Sequence, residues 1–126
     1  MNRSIHTDKA PAAIGPYSQA VQAGNTVYVS GQIPIIPEKG ELTEGGIEAQ
    51  TKRVCENVKA LLKAAGLEPS SVVKTTVFIT DMNDFPKVNE IYASYFAEPF
   101  PARSCVGVAS LPKGALVEIE VVASLG

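Results

Sequence analysis

Two runs of alternating side chains near the carboxyl end constrain the fold most. They are Pro101–Val108 and Val117–Val121. Because successive side chains of a β-strand point to opposite faces, both runs predict strands with two chemically different faces. In the second run three aliphatic residues share one face, and Glu118 and Glu120 share the other. Any fold for this chain must place both strands in a sheet.

Arg103 stands out in the first run because it shares its face with Cys105 and Gly107 rather than with other charges. A guanidinium can grip a carboxylate through two parallel hydrogen bonds, and a nearby glycine leaves room for a small ligand. We therefore predict that Arg103 anchors a small carboxylic acid and that Glu118 handles water or protons nearby. The simpler interpretations are a surface ion pair and an exposed strand glutamate, and the pattern alone does not separate Glu118 from Glu120.

The amino-terminal part predicts a β-hairpin. Residues 1–13 have no periodicity, so we expect an extended or loosely held lead-in. A short strand is expected within 17–23, followed by a tight turn at Gly24-Asn25, whose residues tolerate positive φ. The β-branched and aromatic run Thr26–Ser30 predicts a strand that stops at Gly31.

Glycines and prolines make 31–46 a predicted loop, in which Gln32–Ile36 could form a brief edge strand. From Ile47 onward the apolar residues follow helical spacing, and the charged residues lie on the opposite side. Gly66 is suited to end this helix. We therefore predict one long amphipathic helix in the middle of the chain.

A strand over Ser71–Thr80 and a second helix are predicted next. Asp81 or Asn83 could cap that helix, with Pro86 tolerated in its first turn. Its apolar residues follow helical spacing, and a turn over Leu111–Gly114 then leads to the last strand. The apolar positions of the second helix are Phe85, Val88, Tyr92, Tyr95 and Phe96.

This order of elements predicts an α+β fold in which two helices cover one face of a mixed sheet. The length of 126 residues fits a single domain spanning 1–126. The other face of the sheet has no cover within the chain. A bare sheet rich in Thr, Val and Ile would be prone to aggregate, so we expect oligomerisation to bury it.

Composition excludes several classes of function. With 45% hydrophobic and 19% charged residues the chain is typical of compact proteins, and a net charge of −2 with scattered basic residues argues against nucleic acid as a partner. The amino terminus lacks the apolar core of a signal peptide, and no apolar run approaches the ~20 residues of a membrane span, so we expect a cytoplasmic protein. The lone histidine, His6, and two distant cysteines, Cys55 and Cys105, indicate free thiols and no metal site.

Several separated motifs occur in a recognisable order, and together they cover nearly the whole chain. They are Ala13–Ala20, Val29–Pro34, Thr80–Phe85, Val88–Tyr92, Pro101–Cys105 and Val117–Ile119. A chain that carries them resembles the RidA/YjgF family of reactive intermediate deaminases, also called the endoribonuclease L-PSP family.

The resemblance implies a chorismate-mutase-like fold that assembles as a homotrimer, with ligand clefts between subunits. It implies hydrolysis of reactive enamine and imine acids, such as 2-aminoacrylate, 2-iminopropanoate and 2-iminobutanoate, to 2-oxo acids and ammonia, without a cofactor or metal. It assigns the carboxylate clamp to Arg103 and the orientation of the attacking water to Glu118. The further positions expected to bind substrate are Tyr17, Ser30, Gly31, Phe85, Asn89 and Cys105, of which Gly31 and Cys105 would supply backbone hydrogen bonds.

Two other functions stay open at this point. A sensor or binding module could hold a 2-oxo acid in the same cleft without chemistry. Some relatives are associated with an RNA-cleaving or chaperone-like role, against which the acidic charge balance argues.

Overall fold

The computed structural model describes residues 1–126 and contains a mixed sheet with two helices on one face. The six-stranded sheet has the order β1-β2-β3-β8-β6-β7, and β4 and β5 form a separate pair. All neighbouring strands are antiparallel except β6 and β7, which are parallel. The elements are β1 (Arg3–Ile5), β2 (Ala20–Ala23), β3 (Thr26–Gln32), β4 (Ile35–Ile36), β5 (Glu41–Leu42), α1 (Ile47–Ala64), β6 (Val72–Ile79), α2 (Phe85–Tyr95), β7 (Ala102–Gly107) and β8 (Val117–Ser124). The predicted α+β architecture is confirmed.

Helix α1 buries the stripe that its sequence predicts. Leu61 and Leu62 are fully buried against the sheet, and the chain reverses at Gly66, whose φ of +77° favours glycine. Cys55 is also buried, and burial raises the pKa of its thiol to about 12, so this cysteine is structural. Neither helix combines the length and the apolar character needed to span a lipid bilayer.

Helix α2 begins one turn later than a cap at Asp81 would place it. Asp81 instead accepts a hydrogen bond from the Asn83 backbone and caps a short 3₁₀ turn over Met82–Asp84. The α-helix follows directly, with Pro86 in its first turn as predicted. Val88, Tyr92 and Phe96 of the predicted stripe are buried in the core, and Tyr95 packs against it.

The second face of the sheet is open, as the sequence predicts. Alternation along β8 points Val117, Ile119 and Val121 into the core, whereas the residues between them face away from the helices. On that open face Tyr28 is 53% exposed and Val106 is 41% exposed. Large apolar side chains therefore lie in solvent on a single copy of the chain.

Two expectations for the amino-terminal half need correction. The first residues are extended, which is one of the two expected alternatives, but they are not loosely held, because β1 pairs with β2 and Ile5 is buried in the core. The strand predicted to stop at Gly31 continues to Gln32, with a register shift against β8 between Val29 and Gln32. In both places tertiary pairing overrides a weak local signal.

Replacing Leu61 by alanine should lower the free energy of unfolding by about 2–5 kcal/mol, because a fully buried side chain would leave a cavity. Urea unfolding followed by circular dichroism measures this. The same substitution at Leu125, which is 39% exposed, should change the free energy by less than about 0.5 kcal/mol. Equal effects at the two positions would contradict the packing of α1 on the sheet.

Candidate active site

Arg103 lies on the edge strand β7, on the face of the sheet that carries the helices. Its guanidinium carbon is 5.2 Å from the ring centre of Phe85 and 4.9 Å from that of Tyr92. Nη1 also donates a hydrogen bond to Oδ1 of Asn89. Stacking on two aromatic rings holds the charged group in place, and its remaining N–H donors stay free for a ligand.

The three partners of Arg103 all come from one face of α2. Phe85, Asn89 and Tyr92 follow the i, i+4, i+7 spacing that places side chains on a common stripe. Tyr92 is itself fixed by a buried hydrogen bond of 2.7 Å between its hydroxyl and that of Thr75, which is paired with Arg103 across the two parallel strands. The helix therefore presents a rigid aromatic surface to the arginine.

A cleft of about 610 Å³, which we call the arginine cleft, opens beside this cluster. Its floor is Arg103 with the polar side of α2, and its rim is the segment that leads into β7. Such a volume accommodates a small metabolite. The residues lining it are Pro86, Asn89, Glu90, Tyr92, Ala93, Phe100, Pro101 and Arg103.

Glu118 lies on β8 in close contact with Gly31. A Cβ atom added at position 31 would lie 2.0 Å from Oε2 of Glu118, a distance that no real contact allows. Any side chain at position 31 would therefore displace the Glu118 carboxylate, which is the movable end of a flexible side chain. With glycine at this position near the end of β3, the carboxylate can lie directly against the backbone.

A second cavity, of about 570 Å³, contains the Glu118 carboxylate, and we call it the glutamate pocket. Tyr17, which is 54% exposed, forms part of its wall together with Ser30 and Gly31. The Ser30 hydroxyl donates to the carbonyl of Ser18 at 2.6 Å, so it braces the wall. Further lining comes from Pro11, Ala12, Ile14, Gln19, Gln32, Ile33, Ile35, Pro112, Lys113 and Glu120.

The Glu118 carboxyl is easier to protonate in this pocket than a glutamate in water. Burial raises the pKa of the Glu118 carboxyl, and the negative charge of Glu120 raises it further. A carboxyl group that titrates closer to neutral pH exchanges protons more readily under cellular conditions. A carboxyl of raised pKa inside a pocket is the setting in which proton transfer to a ligand is possible.

Arg103 and Glu118 lie on opposite faces of the sheet. Arg103 is paired with Thr75 and Glu118 with Phe78, and these two positions of β6 point to opposite sides. The arginine cleft and the glutamate pocket accordingly share no lining residue. One copy of the chain does not bring the two predicted catalytic groups together.

The predicted site residues thus fall into two groups. Phe85 and Asn89 accompany Arg103, whereas Tyr17, Ser30 and Gly31 accompany Glu118. The partly buried side chain of Cys105 packs against the core, and burial raises the pKa of its thiol, while its backbone lies on the edge strand.

Sequence reasoning missed two members of these groups. Tyr92 was assigned only to an apolar stripe, although its spacing from Phe85 and Asn89 could have indicated a shared contact. Lys113 lines the glutamate pocket from a turn in which it adopts a φ of 59°, uncommon for a residue with a side chain. In the sequence, only Gly114 directly after Lys113 indicated a tight turn at this position.

Replacing Gly31 by alanine should cost about 0.5–1.5 kcal/mol of stability, because the new methyl group would force the flexible, half-buried Glu118 side chain into a less favourable rotamer. Equilibrium unfolding of a double-mutant cycle tests this. In a Glu118→Ala background the same substitution should cost much less, since the clashing atoms are gone. An identical cost in both backgrounds would show that the contact does not set the requirement for glycine.

Known proteins resemble this chain over nearly its whole length. Residues 7–125 match the family model described as Endoribonuclease L-PSP. A protein of Mus musculus named 2-iminobutanoate/2-iminopropanoate deaminase is 52% identical over 126 residues, covering 100% of this chain and 93% of its own length.

Two solved structures show the same fold. RidA from an Antarctic Psychrobacter is 52% identical, with a TM-score of 0.94 over 97% of this chain and 98% of its own. TdcF of E. coli, solved with bound serine, is 48% identical, with a TM-score of 0.92 over 97% of this chain and 98% of its own. The family match over nearly the whole length, together with these identities, shows that the chain belongs to the RidA/YjgF family, the family of the Endoribonuclease L-PSP model.

Proposed function

We propose that the protein hydrolyses short enamine and imine acids, such as 2-aminoacrylate, 2-iminopropanoate and 2-iminobutanoate, to 2-oxo acids and ammonia. The observation that carries the proposal is a pair of groups of opposite charge. They are the Arg103 guanidinium, which has N–H donors left for a ligand, and the Glu118 carboxyl, whose pKa is raised. The proposal is supported by the 52% identity to a mouse protein named for this activity.

Arg103 would bind the carboxylate of the substrate. Its guanidinium is held by two aromatic rings and Asn89, so little side-chain freedom is lost when a ligand binds. The relative TdcF was solved with serine, a small molecule with a carboxylate next to the carbon that bears nitrogen. A substrate of this class fits within the arginine cleft, and its carboxylate complements the charge of Arg103.

A second copy of the chain would complete the site. We propose that the arginine cleft of one subunit faces the glutamate pocket of its neighbour, in the homotrimer that the family resemblance implies. This arrangement would also cover apolar residues of the open face, such as Tyr28 and Val106. Cyclic assembly would repeat the same composite site at every subunit boundary.

The chemistry in this composite site needs only water and protons. Protonation of the enamine carbon gives the iminium, the protonated form of the imine, whose carbon is electrophilic. Water then adds to that carbon while the Glu118 carboxylate takes one of its protons. In the resulting carbinolamine, Glu118 returns its proton to the nitrogen, the C–N bond breaks and ammonia leaves. The Glu118 carboxylate then accepts the hydroxyl proton as the C=O bond of the 2-oxo acid forms. A positioned base of this kind contributes about 10²–10⁴-fold to the rate.

The alternative functions are less well supported by the same residues. A sensor would need the carboxylate anchor but would have no use for a carboxyl of raised pKa in a pocket. For RNA cleavage the two carboxylates at the glutamate pocket, Glu118 and Glu120, would repel the phosphodiester. An imine acid fits these charges better, because its carboxylate would bind Arg103 and its imine group, which is neutral or protonated, would be the part that meets these carboxylates.

Replacing Arg103 by alanine should abolish the acceleration of 2-iminopropanoate hydrolysis, because the carboxylate anchor is lost. The rate of 2-oxo acid formation above the uncatalysed hydrolysis measures this, with the imine supplied by an amino-acid oxidase. Cys105→Ser serves as the control on the same strand and should retain activity, because only the backbone at that position meets the ligand. Full activity of the Arg103→Ala enzyme would contradict the proposal.

The pH dependence of kcat should report the environment of Glu118. As pH falls, activity should be lost at a pH above the ordinary glutamate pKa of about 4.3, because burial and Glu120 raise the pKa of Glu118. Glu120→Gln removes the neighbouring charge, so the acid limb should move to lower pH. If the acid limb stays at the same pH or moves to higher pH, the group that titrates in this limb is not Glu118.

A further inference from the structure

The wall of the glutamate pocket between β3 and β4 leaves the six-stranded sheet, and beyond it the backbone is held by the short pairing of β4 with β5 and by a hydrogen bond of 2.8 Å from the Thr43 amide to the Pro34 carbonyl. The pairing of β3 with β8 shifts register between Val29 and Gln32, and the chain then leaves the sheet. The next residues include Ile33 and Ile35, which line the glutamate pocket beyond Gly31. Because Gly31 contacts Glu118, any movement of this segment moves the carboxylate's surroundings.

Asn57 on α1 binds the backbone of this segment through hydrogen bonds. Its side chain is fully buried, and Nδ2 donates to the carbonyl of Ile33 at 3.2 Å and to that of Ile35 at 3.0 Å. Both donors of the amide are therefore used on the segment that ends the pocket wall. A buried amide is costly unless satisfied, and this one is satisfied only with the segment in its observed place.

Arg53, one turn earlier on α1, fixes the orientation of that amide. Its Nε donates to Oδ1 of Asn57 at 3.1 Å, so the oxygen faces the arginine and the nitrogen faces the two carbonyls. A flipped amide would place its NH₂ group against a donor and its oxygen against two acceptors. Arg53 is only half-buried, so its removal should disturb the amide without opening the core.

Other buried amides hold the remaining irregular walls in the same way. Nε2 of Gln19 donates to the carbonyls of Ala10 and Pro11, at 3.3 and 2.8 Å, beside the pocket wall that precedes Tyr17. Oε1 of Gln50 accepts from the backbone of Leu116 at 2.8 Å, just before the strand that carries Glu118. Irregular segments around the glutamate pocket thus depend on side-chain amides where strand pairing is missing.

We propose that Asn57, oriented by Arg53, is a positioning residue for Glu118: it fixes the Gly31–Ile35 wall against which the carboxylate rests. The functional part of this inference rests on the proposed deaminase activity. Asn57 contacts neither cavity directly, so it acts through the backbone of the segment. The wall matters more for the chemical step than for binding, because the carboxylate anchor lies in the arginine cleft.

Steady-state kinetics of Asn57→Leu and Arg53→Leu test the proposal. A small misplacement of a catalytic group can cost up to about 10²-fold, so kcat should fall at least about 10-fold in Asn57→Leu and less in Arg53→Leu, with KM little changed. The acid limb of the pH profile should also move down, because a loosened wall exposes Glu118 to water.

The matched control is Thr51→Val on the same helix. Thr51 is fully buried too, but its hydroxyl donates to the carbonyl of Ile47 within α1 and touches no pocket wall. This variant should keep kcat and the pH profile of the unmodified protein. A folded Arg53→Leu enzyme with unchanged kcat and an unchanged acid limb would overturn the proposal, even if Asn57→Leu fails to fold.

Hydrogen–deuterium exchange tests the positioning separately from catalysis. In Arg53→Leu, exchange should increase in peptides covering 31–36 and stay unchanged in peptides from β6. If the unmodified protein has no deaminase activity, the proposed function fails while this measurement still decides whether Asn57 and Arg53 hold the wall. Unchanged exchange over 31–36 would show that they do not.

Discussion

The alternation of side chains across the sheet separates the two charged groups on which the proposed chemistry depends. Arg103 projects toward the helices and Glu118 toward the open face, and the pairing of β7 and β8 with β6 fixes both directions. A side chain changes face only if its strand slips by one residue, which would turn the core residues of that strand outward as well. The separation is therefore as stable as the fold itself.

A single copy of the chain leaves two surfaces uncovered, an edge strand and one face of the sheet, and association with a second copy would cover both. The edge strand β7 presents unpaired backbone groups beside Arg103, and the open face exposes residues such as Tyr28. A second copy placed against this edge would cover apolar surface and bring a glutamate pocket to the arginine cleft. In the proposed assembly, oligomerisation and formation of the active site are one event, so a subunit released from it would have both groups and no catalysis.

Much of this structure could be predicted from local patterns, because alternation and helical spacing are strong signals. They gave the helix from Ile47, the Arg103 strand, the Glu118 strand and the open sheet face. The β1 pairing could not be predicted, since three residues with one buried side chain carry no periodicity. The opposite placement of Arg103 and Glu118 depends on how β7 and β8 both pair with β6, which neither motif encodes. Nor does Asn57 stand out, because its role comes from contacts more than twenty residues away.

The most direct test of the account is activity after mixing two inactive variants, Arg103→Ala and Glu118→Gln, under conditions that exchange subunits. If each site takes its arginine from one copy and its glutamate from the neighbour, random mixing in a cyclic assembly leaves about one quarter of the sites intact. The mixture should then recover about one quarter of the unmodified activity toward 2-iminopropanoate. If both groups of a site came from the same chain, every site would lack one of them, and a mixture as inactive as its parents would contradict the account.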